Sequence, residues 1–309
     1  MPPTSETFTP ELQLEIPIVK SKVSLFHELS KPGISYLALT TTLTGFILAT
    51  VSGLNFALLV HTLIGTFFVA AGGGSLNMVL EHDIDQLMNR TKNRPIPSGK
   101  ISYMEGLLFG TISSITGIIY LALFVNILTS ILGALTIGGY LFIYTPLKKH
   151  TSLSTIIGGF PGAIPPMMGW TAVRNEISIE AWVLFAILYL WQIPHFLAIA
   201  WMYRKDYERA GFPMLPVIEP DGISTSKQIL YHCIALVPVS LLPSFFHLTA
   251  QVYFYGAIAL GLMFLWYGIV LVHEKSNANA KKMLLASIFY IPLLLALIFI
   301  DKGITLFFF

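Results

Sequence analysis

Residues 77–97 read NMVLEHDIDQLMNRTKNRPIP, three acids and three bases set directly behind a strongly apolar run. Continuing that run as a helix places Asn77, Glu81 and Asp85 at i, i+4 and i+8, stacked on one face with about 40° of drift per step. Asp83 falls about 200° round from Glu81 and faces elsewhere. Like charges four apart repel by about 0.2–0.5 kcal/mol per pair and gain nothing unless a cation bridges them. Magnesium, which takes one or two carboxylates together with phosphate oxygens, suits such a ladder. Arg90 and Arg94, again four apart, suit bidentate phosphate binding, with Lys92 as a further point charge. Charges that cap a helix and mark the inner face of a membrane are the plainer reading, and it suffices for His82, Lys92 and Lys100.

The apolar run is not isolated. Of 309 residues, 55% are hydrophobic and 11% charged, and the mean hydropathy is +0.73, which points to an integral membrane protein rather than a water-soluble globule. Continuous rather than alternating apolar runs favour helices over a β-barrel. Nine spans are expected, at 34–52, 55–78, 105–125, 127–146, 153–172, 180–202, 228–246, 251–272 and 283–300. Assigned to alternate sides, sixteen of the eighteen Lys and Arg fall on one side, leaving only Arg174 and Lys302 opposite. The positive-inside rule then puts the N-terminus and the 77–97 stretch in the cytoplasm and the C-terminus across the membrane.

Residues 1–30 are expected to be a cytoplasmic tail, distinct from a transmembrane domain at 31–309, and neither a cleaved signal nor a transit peptide. The tail leads into an amphipathic segment, VSLFHELSKPGISYL at 23–37. A single cysteine, Cys233, excludes a disulfide within the chain. The bases are dispersed over many loops, so no nucleic-acid partner is expected.

Two further patches carry polar chemistry. WQIPHFLAIAWMYRKDYERAGFPMLP at 191–216 holds Asp206 beside Arg204 and Lys205, on the same side as the acidic ladder, as a second metal or phosphate contact. Within it, Pro194 is expected to break the sixth span and set His195 at depth, where a polar group must be paired or used. YTPLKKHTSLSTIIGGFPGAIPPMMGW at 144–170 offers Lys148 to phosphate and is rich in residues that permit close helix approach.

Asn77-x-x-x-Glu81-x-x-x-Asp85 followed by MNRTKNRP resembles the first aspartate-rich motif of the UbiA-type intramembrane prenyltransferases. HDID at 82–85, GAIPPMMGW at 162–170, WQIPHF at 191–196 and DYERAGFPMLP at 206–216 are together similar to the branch of that family that farnesylates heme, and the resemblance runs from about Lys31 onward. It implies an all-α integral membrane fold, nine transmembrane helices bundled around a central cavity, in a bacterial inner membrane with the active site towards the cytoplasm. It also implies transfer of farnesyl from farnesyl diphosphate to a vinyl group of heme b with addition of water. Asn77, Glu81, Asp85 and Asp206 would hold Mg2+ and serve as the catalytic set. Arg90, Arg94, Lys148, Lys205 and Tyr144 would bind the diphosphate, and His195 would face the heme. A heme A synthase or terminal oxidase assembly is the implied recipient of the product.

Two departures stand out. Glu81 occupies a place where the broader family has Asp, and Met202 stands at the first position of the second D-x-x-x-D motif, leaving Asp206 alone. A quinone-precursor prenyltransferase, a secondary transporter and a heme-binding assembly protein are the competing readings. The transporter is disfavoured because the acids cluster at helix ends rather than along a path through the membrane.

Overall fold

A computed structural model describes residues 20–51 and 53–308, with side chains as far as 303. Helices account for every regular element among the described residues. In chain order these are α1 (Lys22–Leu29), α2 (Pro32–Ala49), α3 (Phe56–Leu80), α4 (His82–Asp85), α5 (Tyr103–Phe124) and α6 (Ile127–Gly138). A π-helical turn (Gly139–Tyr144) joins α6 to α7 (Thr145–Leu147), and α8 (Ser154–Ala163), α9 (Pro165–Arg174) and α10 (Ile179–Met202) follow. The chain ends with α11 (Arg204–Arg209), α12 (Leu215–Ile218), α13 (Ile223–Val239), α14 (Leu242–Phe245), α15 (Gln251–His273) and α16 (Asn277–Phe308).

Eight helical stretches among the described residues are long and apolar enough to cross a membrane. The expected fifth span, 153–172, takes the form of two ten-residue helices, α8 and α9. Pro165 and Pro166 supply no N–H to the preceding turn, so the hydrogen-bonded ladder is interrupted there. Ile164 between them keeps right-handed helical dihedrals (φ −71°, ψ −34°), so the backbone stays helical across the junction. Pro194 behaves differently from expectation: α10 runs unbroken through it. The proline is buried among neighbouring helices, and such packing lets a membrane helix absorb the missing bond.

Apolar residues cover the outside as well as the core. Leu108, Ile112, Ile115, Ile119 and Leu123 form one stripe of α5, each more than half exposed, as a lipid-facing surface requires. Inside, small residues bring helices into backbone contact. A Cβ on Gly45 would stand 2.0 Å from the Pro166 carbonyl oxygen, and one on Gly169 1.8 Å from that of Thr42, so α2 and α9 cross with no room for side chains. The Thr42 hydroxyl donates to the Pro165 carbonyl at 2.9 Å across the same crossing. At the far end of the bundle, buried Asp301 of α16 accepts the Ala250 and Tyr253 amides (2.7 and 2.9 Å), capping the first turn of α15.

α1 covers the first part of the amphipathic segment expected at 23–37; the chain turns at Lys31 and the remainder opens α2. Leu25 and Leu29 of α1 are buried with Met78, Val79, Ile96 and Ile101, fastening that helix to the end of α3 where the acidic stretch begins.

Candidate active site

α3 does not continue as one helix through Asp85. It ends at Leu80; Glu81 relaxes to φ −102°, ψ 6°, and α4 forms a separate turn. The amide of Glu81 still donates to the Asn77 carbonyl (3.0 Å), and that of Asp85 to Glu81 (2.8 Å), so the fourfold register survives the bend. All three ladder residues are buried, at 1%, 3% and 3% exposure, while the Asp83 side chain is 85% exposed and pairs with His82. The face predicted by spacing is the face the fold encloses.

Every rung of the ladder is engaged by a basic residue from elsewhere. Glu81 accepts from the Lys148 ammonium at 2.7 Å, and Asp85 from the Arg94 guanidinium at 2.7 Å. Asn77 accepts a short bond from Lys31 on its Oδ1 and donates from Nδ2 to the Thr145 hydroxyl at 3.0 Å. Thr145 in turn donates to the Tyr140 carbonyl five residues earlier, at 2.9 Å. The π-helical turn places Tyr140 and Tyr144 side by side, their ring centroids 5.5 Å apart, and the Lys148 ammonium lies 5.1 Å from the Tyr144 ring. Such turns recur at functional sites because they re-aim side chains that a regular helix would turn away.

Charge here is set by these neighbours. Burial alone would push the Glu81 carboxyl up, but the Lys148 and Lys31 cations outweigh it and hold it below the usual range. Burial likewise opposes the Lys148 charge, and the surrounding Tyr144 and Glu81 outweigh it, holding that ammonium above the ordinary lysine value. Lys31 goes the other way: burial, reinforced by Arg94, lowers it to about 7.

The second patch closes over the first. Asp206, 8% exposed, accepts the backbone N–H of Arg90 at 3.2 Å and a short ion pair from Arg209. Arg209 also donates to the Leu87 carbonyl at 2.9 Å, so the 79–104 and 203–227 loops are fastened together. Arg90 reaches the Tyr207 hydroxyl at 3.2 Å, with its guanidinium 5.7 Å from the Tyr203 ring. The ring of Phe212 from this loop lies 5.3 Å from the Lys148 ammonium, which links the two clusters.

Of the residues nominated from sequence, Asn77, Glu81, Asp85, Arg94, Lys148 and Tyr144 therefore share one cluster, with Arg90 and Asp206 at its edge. Lys205 is exposed on α11, where Arg209 is the base that meets Asp206. His195 stands apart: its Nδ1 shares a hydrogen bond with Ser287 Oγ at 2.7 Å, and its ring stacks on Trp191. Sequence reasoning did not nominate Lys31, Tyr140, Thr145, Tyr207 or Arg209. For Lys31 the available signal is a base immediately ahead of the first apolar run.

Among the described residues no three acidic, histidine or cysteine side chains stand together as a self-sufficient metal cage. Magnesium does not require one, because phosphate oxygens commonly complete its shell. Two buried carboxylates and an amide oxygen on one face match that donor set.

The Glu81–Lys148 pair makes a prediction. Lys148→Met leaves a buried carboxylate without its cation and should destabilise the protein by about 3 kcal/mol, whereas Glu81→Gln combined with Lys148→Met recovers most of that loss. Thermal melts of Glu81→Gln, Lys148→Met and the double variant in detergent give the coupling, and activity should remain low in all three.

A model described as the UbiA prenyltransferase family matches residues 38–294. The protoheme IX farnesyltransferase of Solibacter usitatus is 43% identical over 286 residues, covering 90% of this chain and 98% of the relative. That of Salinibacter ruber is 43% identical over 273 residues, covering 88% and 96%. Among solved structures, a digeranylgeranylglyceryl phosphate synthase superposes with a TM-score of 0.76 at 19% identity, covering 91% of this chain and 98% of its own. A UbiA homologue from Archaeoglobus fulgidus bound to DMAPP and Mg2+ gives 0.64 at 16% identity, covering 88% and 98%. The solved structures share the helical fold, and the curated relatives share the sequence almost from end to end. The chain belongs to the UbiA prenyltransferase family.

Proposed function

We infer that the chain is a protoheme IX farnesyltransferase, moving farnesyl from farnesyl diphosphate to a vinyl group of heme b. The observation that carries this reading is near full-length identity of 36–43% to relatives of that name. The buried acid–base face adds a chemical reason for it. In the reaction the allylic C–O bond breaks, diphosphate leaves, and a C–C bond forms at the vinyl terminus. Water then adds to the neighbouring carbon and a proton departs.

Bound magnesium, held by Asn77, Glu81, Asp85 and Asp206 with substrate oxygens, would supply charge to the leaving diphosphate. Arg94, Lys148 and Arg90 provide fixed positive charge on the same side, so developing negative charge meets groups already in place. Tyr144 and Tyr140 wall the cluster with rings beside Lys148 and Lys31. His195 is proposed to face the heme, and Lys205 to contribute long-range charge.

This reading keeps nine membrane passes, with α8 and α9 together making the fifth, an N-terminal cytoplasmic tail at 1–30 and a domain at 31–309. It places the site at the cytoplasmic face of a bacterial inner membrane, with product passing to a heme A synthase or oxidase assembly. Pigments extracted from membranes with and without the chain provide the test. A heme heavier by one hydroxyfarnesyl unit should appear only with the chain, and its absence would favour the quinone-precursor or transporter readings.

A further inference from the structure

We propose that Lys31, carried into the site by the α1–α2 elbow, contacts the diphosphate of the prenyl donor directly. The inference rests on the prenyl-transfer reading and adds a residue that lies ahead of the family-matched segment, which begins at residue 38.

The first observation is charge balance. Glu81 already has Lys148 and Asp85 already has Arg94, each at 2.7 Å. Lys31 is a third cation beside two carboxylates, and its own polar partners are a neutral amide, Asn77, and the Tyr140 hydroxyl at 3.4 Å. Asn77 does not need it for support, since Thr145 holds the same amide group from the other side. The Lys31 ammonium is part-buried and its hydrogen bonds go to neutral groups, so its charge is poorly compensated and an arriving anion would find a donor in place. Lysine suits a phosphate oxygen as a point charge with three donors.

The second observation is backbone geometry. Lys31 adopts the left-handed region (φ 49°, ψ 66°), one of three non-glycine residues with positive φ among those described. Such a conformation persists only where the surroundings fix it, and it concentrates at functional positions. Here the elbow is fixed on several sides. The Lys31 amide donates to the Glu28 carbonyl at 3.1 Å, the Ser35 hydroxyl to the Ser30 carbonyl at 2.6 Å, and the Ser30 hydroxyl to the His27 carbonyl at 2.6 Å. Gly74 on α3 makes room for it, since a Cβ there would come within 3.3 Å of both the Lys31 stem and the Ser30 carbonyl oxygen. These contacts turn the side chain inward, to the first rung of the ladder.

The test uses purified full-length protein with magnesium and two probes, farnesyl thiodiphosphate as a slowly cleaved donor analogue and farnesyl monophosphate. Lys31→Met should weaken thiodiphosphate binding at least tenfold while changing monophosphate binding less, so that the preference for the diphosphate narrows. In steady state its KM for farnesyl diphosphate should rise more than its kcat falls. Lys22→Ala, on the exposed face of α1, should leave both affinities unchanged. Lys31→Gln keeps a donor for Asn77 and gives the same readout if the Met variant accumulates poorly. Equal losses for both probes would make Lys31 a strut for Asn77 and overturn the proposal, as would unchanged binding in either variant. A wild-type protein that binds neither probe overturns the prenyl-donor reading itself, a result distinct from both.

Discussion

Asp85→Asn should reduce heme farnesylation by at least about 10²–10³-fold, the scale on which enzymes lose rate when one fixed charge-stabilising group is removed. The substitution keeps the shape of the side chain and an oxygen that can still accept from Arg94, now 2.7 Å away. What it removes is one of two buried anions on the face of Asn77, Glu81 and Asp85, and with it the ability to hold a divalent cation against the diphosphate. Breaking a buried ion pair can cost about 3–5 kcal/mol, but Arg94 is partly open to water and keeps its hydrogen bond, so protein should still accumulate. Asp83→Asn is the matched control, two residues away and 85% exposed, and it should retain activity. Product per unit of immunodetected protein in membranes gives the comparison. Near-normal turnover by Asp85→Asn would remove the metal-facing ladder from the mechanism.

Gly169→Val should abolish the fold rather than the chemistry. A Cβ at this position would sit 1.8 Å from the Thr42 carbonyl oxygen and 2.6 Å from the Phe46 amide nitrogen. Both are backbone atoms of α2, so no rotamer change relieves the overlap. α2 and α9 must separate, which breaks the 2.9 Å Thr42–Pro165 bond and opens the reciprocal contact of Gly45 on Pro166. Overpacking of a core commonly costs about 1–3 kcal/mol, and a clash with backbone at both ends of a crossing belongs at or above the top of that range. Loss of the monodisperse peak in detergent chromatography is the expected result. Gly138→Ala meets nothing within 4 Å and sits in a helix, where alanine is favoured by about 1 kcal/mol; it should melt at the same temperature or higher.

The ladder could be read from the sequence, while its surroundings could not. Asn77, Glu81 and Asp85 recur every four residues, and that periodicity survived the bend at Glu81 because the i to i+4 bonds survived. The division of α8 from α9 was written in Pro165 and Pro166, yet their close approach to α2 was needed to show what the break serves. Pro194 carries the same chemical signal and does not interrupt α10, because its buried surroundings decide the outcome. Met202 left Asp206 without its expected fellow carboxylate. The fold gives that aspartate the Arg90 amide and Arg209, one from a distant loop and one from the next turn.

By itself the sequence determined the helical membrane class and the composition of the acidic face. Both depend on composition or local periodicity, which need no knowledge of neighbours. Only the tertiary structure decided which cation meets Asn77 and Glu81, since Lys31–Asn77 and Lys148–Glu81 join residues 46 and 67 apart in the chain, and the backbone amide of Arg90 reaches Asp206 across 116. Those pairings follow from where helices cross and from one left-handed elbow at Lys31. Helix crossings are set by close packing of small residues across the bundle, a property that no single stretch of chain contains.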